Sequence, residues 1–312
     1  MAFNSKVYDV ITNKIIAMLE KGVVPWHKPW DAEQGCPKNL VSKYPYRGIN
    51  PFLLGAMPFK APWWLSYKQI KQLGGSIKDE ELKESTPVVF FKWLEYRQMK
   101  QPETDNEDED EQDDEDYDTI TESQVKKQAR RFPIIRYYRV YNVEQCTGLE
   151  KYIPEPVSKK NLNPIEECEK VSSEMLTKPS LQHGGDKAYY SPSLDIIQIP
   201  LIESFNAIED YYSTKFHELT HSTGHKDRLN RKGVADIHAF GDPNYSLEEL
   251  VAEMGASFLC SMTGIENKTI DNSASYISNW LKKLHSDSKL VVIAGSQAQK
   301  ACDYILNKTS GV

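Results

Sequence analysis

Residues 211–224 read YYSTKFHELTHSTG, and within them His217, Glu218 and His221 spell H-E-x-x-H. On a helix, residues four apart share a face, so the two imidazoles point the same way and can hold one metal ion. Glu218 is rotated just far enough to reach a water beside that ion, where a general base stands in zinc-dependent amide hydrolysis. Two surface histidines on an ordinary helix would spell the same pentad. Here Tyr211, Tyr212, Phe216 and Leu219 supply apolar side chains to bury the other faces, which favours a built site.

A hydrolytic zinc site takes three protein ligands and keeps one position open, so a third ligand is needed. Glu249 in SLEELVAE is the first choice, with Glu253 four residues on as a carboxylate that could orient a histidine. Ser246 and Glu249 also fit an S-x-x-E capping box, which needs no metal, and Glu248 stays open as a ligand. Asp227 comes second, at the third position of a metzincin-like H-E-x-x-H-x-x-G-x-x-D spacing. His225 comes third, because it follows the helix-breaking Gly224.

Outward from the pentad, NLNPIEECEKVSSEMLTKP, SLEELVAEMGASFLCSMTG and the tail from 275 to 307 read as helices, the second closed by Gly264. AYYSPSLDIIQIP reads as a strand pair bent at Pro192, and DIIQIP is a candidate sheet edge for pairing with an extended peptide. In the first half, apolar positions 7, 10, 11, 15, 16, 18 and 19 mark an amphipathic helix closed by Gly22. Residues 23–62 lack periodicity and read as loops, and WLSYKQIKQLGG reads as a short helix. TPVVFFKWLEYR and FPIIRYYRVYNVEQC read as partners in one sheet.

Between those two strands, residues 103–118 carry twelve acidic side chains and no basic one, with too little apolar surface to offset the entropy of ordering. The segment from about 102 to 123 is therefore expected to be a disordered insert in a hairpin connection. The chain's net charge is -7, so without this block the rest is about +5. At 312 residues the expectation is two α+β domains: 1–155, mixed, and 160–312, helix-rich with a small sheet and one zinc ion. No apolar run reaches the roughly 20 residues of a membrane span, no signal peptide opens the chain, and five scattered cysteines read as reduced thiols. A cytoplasmic location without membrane partners is expected.

The first hundred residues hold thirteen lysines and two arginines against nine acidic residues, and five of the six tryptophans. Aromatic faces interleaved with cations suit single-stranded DNA, which stacks on the rings while the cations follow its phosphates. The candidate contacts are Trp26, Lys28, Trp30, Tyr46, Arg47, Trp64 and Lys68, with Lys71 as a further cation. The competing reading places most of these rings in a core.

With HELTHSTGH, YRGIN and VPWHKPW in view, the chain resembles the ArdC-like antirestriction proteins of plasmids, phages and other mobile elements. The likeness runs through ITNKIIAMLEKGVVPWHKPW, PYRGINPFLL, WLSYKQIKQLGG and TPVVFFK. It continues in AYYSPSLDIIQIP, YYSTKFHELTHSTGHKDRLNR and EELVAEMGASFL. The resemblance implies an N-terminal domain that binds single-stranded DNA, a C-terminal zincin-like metallopeptidase domain, and protection of incoming DNA from restriction. Position by position it implies metal on His217 and His221, the catalytic carboxylate on Glu218, and the glutamate of the EELVAE helix, Glu249, as third ligand. The acidic block departs from the family's pattern. Two readings remain: a peptidase acting on a protein substrate while tethered to DNA, and a protein that coats single strands and uses zinc structurally.

Overall fold

The structure, a computed structural model, describes residues 5–27, 30, 34–95, 131–155, 163–235, 243–265, 267 and 273–308. The acidic insert expected at 102–123 and the candidate contact Lys28 lie outside them.

The chain opens with helix α1 (Ser5–Glu20), whose stripe Val7, Ile11, Ile15 and Leu19 is buried. Gly22 follows at φ +78, a left-handed turn residue whose N–H returns to the Leu19 carbonyl. The stretch expected to be loops contains a short strand, β1 (Lys38–Asn39), and helix α2 (Asn50–Gly55), started by Pro51 in its first turn. Strand β2 (Trp63–Ser66) runs into α3 (Tyr67–Gln72) through a capping box between Ser66 and Gln69. Strand β3 (Ser76–Ile77) pairs later with β6 (Cys146–Thr147). Strands β4 (Thr86–Glu95) and β5 (Arg131–Asn142) form the expected antiparallel ladder, in register Val88↔Tyr138 and Phe90↔Arg136. The main sheet has the order β1-β2-β5-β4, which leaves β4 on an edge.

The second half begins with α4 (Pro164–Glu174), capped by Asn163. Three strands follow: β7 (Ser180–His183), β8 (Tyr189–Ser191) and β9 (Ile196–Ile199), in the order β7-β9-β8. The expected strand pair is β8 and β9, but DIIQIP supplies β9, the central strand, because β7, which sequence reading passed over, pairs parallel with its other side. The open edge next to that pair is β8. Helices α5 (Ile208–Ser222), α6 (Lys232–Ala235), α7 (Pro243–Thr263), α8 (Ala274–Ser286) and α9 (Leu290–Ile305) complete the fold.

The two domains meet across one continuous apolar core. It takes Ile11, Ile15 and Leu19 from α1, Phe52 from α2 and Val89 from β4, together with Phe258 from α7 and Val291 and Ala298 from α9. Phe52 stacks on Phe258 at 4.5 Å between ring centroids, and Trp30 lies 5.5 Å from the same ring. Each such fully buried side chain contributes about 1.5–3 kcal/mol, so the contact between the halves is energetically part of the fold. Among the described residues no helix is long and apolar enough to cross a membrane.

Candidate metal centre

The site is built where α5 meets α7. Gly255 on α7 makes this close approach possible, since a Cβ there would lie 2.5 Å from Cγ2 of Thr220 on α5. The helices so placed set Glu248 and Glu249, on the first half of α7, against the histidines of α5. Helix α7 starts at Pro243, so Ser246 lies inside it and the capping-box reading of Ser246 and Glu249 is set aside.

His217, His221 and Glu249 each offer a ligand atom, and these atoms all lie within 4.8 Å of one another. The two Nε2 atoms are 3.1 Å apart, and each is 3.7 Å from a carboxylate oxygen of Glu249. Ligands at about 2.0–2.1 Å from a tetrahedral ion sit roughly 3.3–3.4 Å from each other, so the three separations fit one small divalent cation. Burial, and then the charge of His221, pushes the His217 pKa down to about 3, which keeps its imidazole neutral and able to ligate.

His221 is held from behind. Its Nδ1–H donates to Oε1 of Glu248 at 3.1 Å, leaving Nε2 directed at His217 and Glu249. Burial alone would lower the His221 pKa, but the hydrogen bond and charge of Glu248 raise it to about 9, so a cation bound at Nε2 must displace a proton there. Glu248 is itself fixed by the buried fork of Arg231, with Nε to Oε2 at 2.8 Å and Nη2 to Oε1 at 2.6 Å. Arg231 spends its remaining donors on Thr223 Oγ1 and the Thr220 carbonyl, both on the C-terminal turn of α5. Against its burial, Arg231 and His221 hold the Glu248 carboxyl below the usual range, so it stays charged. Glu248, open as a ligand from sequence, is thus turned away from the triad. Arg231 was missed, because nothing in its spacing links it to a glutamate 17 residues later.

Glu218 is buried beside this centre, and its carboxyl is raised by burial, with Glu249 adding to the effect. His221 and a hydrogen bond from the main-chain N–H of Tyr190 oppose the rise. Tyr190 lies on β8, so the open strand edge, not DIIQIP, faces the site. The β8–β9 hairpin is tied to the turn after α5 by Arg228, which pairs with Asp195, donates to the Tyr190 hydroxyl, itself a donor to Asp195, and donates to the Ser222 carbonyl.

Other sequence candidates fall elsewhere. Asp227 is 76% exposed and paired with His225 at 3.6 Å, since the chain turns away after Gly224 instead of continuing along α5. Glu253 orients no histidine. One helical turn beyond Glu249, it accepts from the Trp26 indole at 3.0 Å and from the Tyr276 hydroxyl.

That contact corrects the reading of Trp26 as a stacking residue: it is 0% exposed, edge-on to Trp280, and its ring is sealed in the core. Trp30, Tyr46 and Trp64 are buried as well, and Trp30 and Trp64 line a cavity of about 350 Å³ with Leu54, Phe59 and Lys60. Arg47 ion-pairs with the buried Asp303, so the YRGIN segment works as a joint. Its Ile49 packs against Gly295 of α9, where a Cβ would come within 2.9 Å of the Ile49 backbone. The amide of Asn50 caps the edge strand β4 by bonding both the N–H and the C=O of Val89. Lys68 is exposed on α3.

Two family models match. Residues 5–141 match the N-terminal domain of anti-restriction factor ArdC, and residues 168–297 match a zincin-like metallopeptidase. An Escherichia coli protein named DNA primase TraC is 31% identical over 305 residues, 96% of this chain. The chain spans only 27% of that protein's length. An uncharacterized protein, y4eC, from Sinorhizobium fredii (strain NBRC 101917 / NGR234) is 30% identical over 309 residues, 96% of this chain and 91% of that protein. Crystal structures of the antirestriction protein ArdC from plasmid R388 superpose with TM-scores of 0.68 and 0.67, at 29% identity over 96% and 97% of this chain and 97% and 98% of that one; the first is metal-free and the second Mn(II)-bound. Domain order, fold and full-length similarity together show that the chain belongs to the ArdC-like family of antirestriction proteins.

Proposed function

We propose that this is an antirestriction-type protein that binds single-stranded DNA through residues 1–155 and carries a zinc-dependent peptidase site in residues 160–312. The convergence of His217, His221 and Glu249 with Glu218 alongside is the observation that carries this reading. Metal binding by the R388 relative supports a divalent ion at these residues, and the names of the ArdC and TraC relatives support a role with DNA. The two imidazoles and the Glu249 carboxylate would hold one ion, zinc being the choice that fits two nitrogens and one oxygen at this spacing. When bound, such an ion supplies Lewis acidity towards a carbonyl and lowers the pKa of a water.

The remaining work falls to the protein. Glu218 takes the proton of an attacking water and delivers it to the leaving amine, a task suited to a buried carboxylate of raised basicity. Glu248 and Arg231 keep His221 in the tautomer that presents Nε2. Among the described residues β8 is an edge strand, and an extended peptide would pair along it by displacing Glu218 from the Tyr190 N–H. In the alternative, the protein coats incoming single strands and the metal is structural. Glu218→Gln separates the two. With metal content and melting temperature at wild-type levels, loss of protection against restriction in a recipient cell supports the enzyme, and full protection supports the coat.

A further inference from the structure

Trp26, Trp30, Tyr46 and Trp64 are buried and cannot stack on bases, and the main sheet offers other rings. Side chains alternate along β4 and β5, so Val88 and Phe90 share a face with Val140, Tyr138 and Arg136. Tyr46, Leu54 and Phe59 roof one half of that face, packing over Trp64, Val88 and Val140. Beyond the roof the face is open. Phe90 and Tyr138 are each 36% exposed, with their rings 5.6 Å apart and edge to face. Arg136, across the ladder from Phe90, is exposed and forms no ion pair with any described residue. At the inner border of the patch lies the buried hydroxyl of Tyr46, beside Tyr138. Strand residues 86–91 and 134–142 include Arg136 and Arg139 but no acidic side chain.

We propose that Phe90, Tyr138 and Arg136 form a stacking platform for single-stranded DNA on the open half of this sheet face. The placement rests on the DNA-binding reading above. Unpaired bases stack on the two rings, and the guanidinium, which pairs with no carboxylate among the described residues, meets a phosphate. Among the described residues the patch carries one cation, Arg136, beside two rings, which suits a flexible single strand better than a duplex backbone.

The test uses the full chain and a labelled oligothymidylate of about 16 nucleotides, with affinity read by fluorescence anisotropy across a salt series. Phe90→Ala and Tyr138→Ala are each expected to weaken binding about tenfold. Phe90→Leu, which keeps apolar packing but removes the ring, should do the same, and Tyr138→Phe should bind as wild type. Arg136→Gln should lower the slope of log affinity against log salt by about 0.7. Phe91→Ala, on the opposite face, should leave affinity unchanged. If wild type binds and the Phe90, Tyr138 and Arg136 variants bind equally well, the platform is overturned and the DNA-binding reading stands. If wild type fails to bind even at low salt, both fall. If an oligoglutamate peptide competes as well as DNA and depends on the same side chains, the face takes an acidic peptide and the DNA platform is overturned.

Discussion

Replacing Glu248 by Gln isolates the support of the metal centre from the centre itself. Glu248 is buried, accepts the full fork of Arg231 at 2.6 and 2.8 Å, and receives His221 Nδ1–H at 3.1 Å. Glutamine keeps the shape but removes the charge, and it turns one acceptor into an NH₂ that faces the guanidinium. Arg231 is then a buried cation without a counter-charge, which costs about 3–5 kcal/mol. At about 2–4 °C per kcal/mol for a domain of 150–250 residues, the melting temperature should fall by on the order of 10 °C. Freed from its carboxylate, His221 should also bind metal about 10–100-fold more weakly. Differential scanning calorimetry, with and without zinc, and a chelator competition titration read both quantities. Glu249→Gln, at a partly exposed ligand, should instead abolish tight zinc binding and leave the metal-free melting temperature within about 2 °C of wild type, the ordinary range for a surface change. If Glu248→Gln matches wild type in stability and affinity while Glu249→Gln destabilises the metal-free protein, the roles assigned to these neighbours are reversed.

The remaining expectations concern the walls of the site. Burial, with Glu249 adding its charge, pushes the Glu253 carboxyl up to about 7. A raised folded pKa favours the protonated form, so its stabilising effect is complete below about 4.5 and is lost as pH rises through 7, on the order of 3 kcal/mol in all. In a chelator, wild type should therefore lose stability between pH 5 and 8 relative to Glu253→Gln, and parallel stability curves would refute this. Trp26→Phe removes the indole donor to Glu253 and should cost about 1–3 kcal/mol in urea unfolding while oligothymidylate affinity holds; loss of affinity with unchanged stability would restore Trp26 as a stacking residue. Gly255→Ala sets a methyl 2.5 Å from Thr220 and should destabilise by about 1–3 kcal/mol and weaken zinc binding, checked by the same calorimetry. Asp227→Asn, at an exposed aspartate, should retain one zinc by elemental analysis.

What could be read from sequence was local or periodic. The spacing of His217 and His221 puts them on one helical face wherever that helix goes, and the stripe from Val7 to Leu19 and the β4 and β5 runs announce their elements for the same reason. The acidic block at 103–118 and the basic, aromatic bias of the first hundred residues are likewise properties of composition. Pairings between distant residues were decided by tertiary structure alone. Glu248 and Glu249 are adjacent in sequence, and only the crossing of α5 and α7 at Gly255 sends one to His221 Nδ1 and the other to the ligand cluster. Strand β7, too short and exposed to show a pattern, moved β9 from edge to centre and left β8 facing Glu218. An indole that could stack on a base or fill a core is the same letter in either case. The packing of α7 and α8 buried Trp26, and the roof over half of the main sheet left Phe90 and Tyr138 in solvent, because burial belongs to the assembled surface and periodicity to the single element.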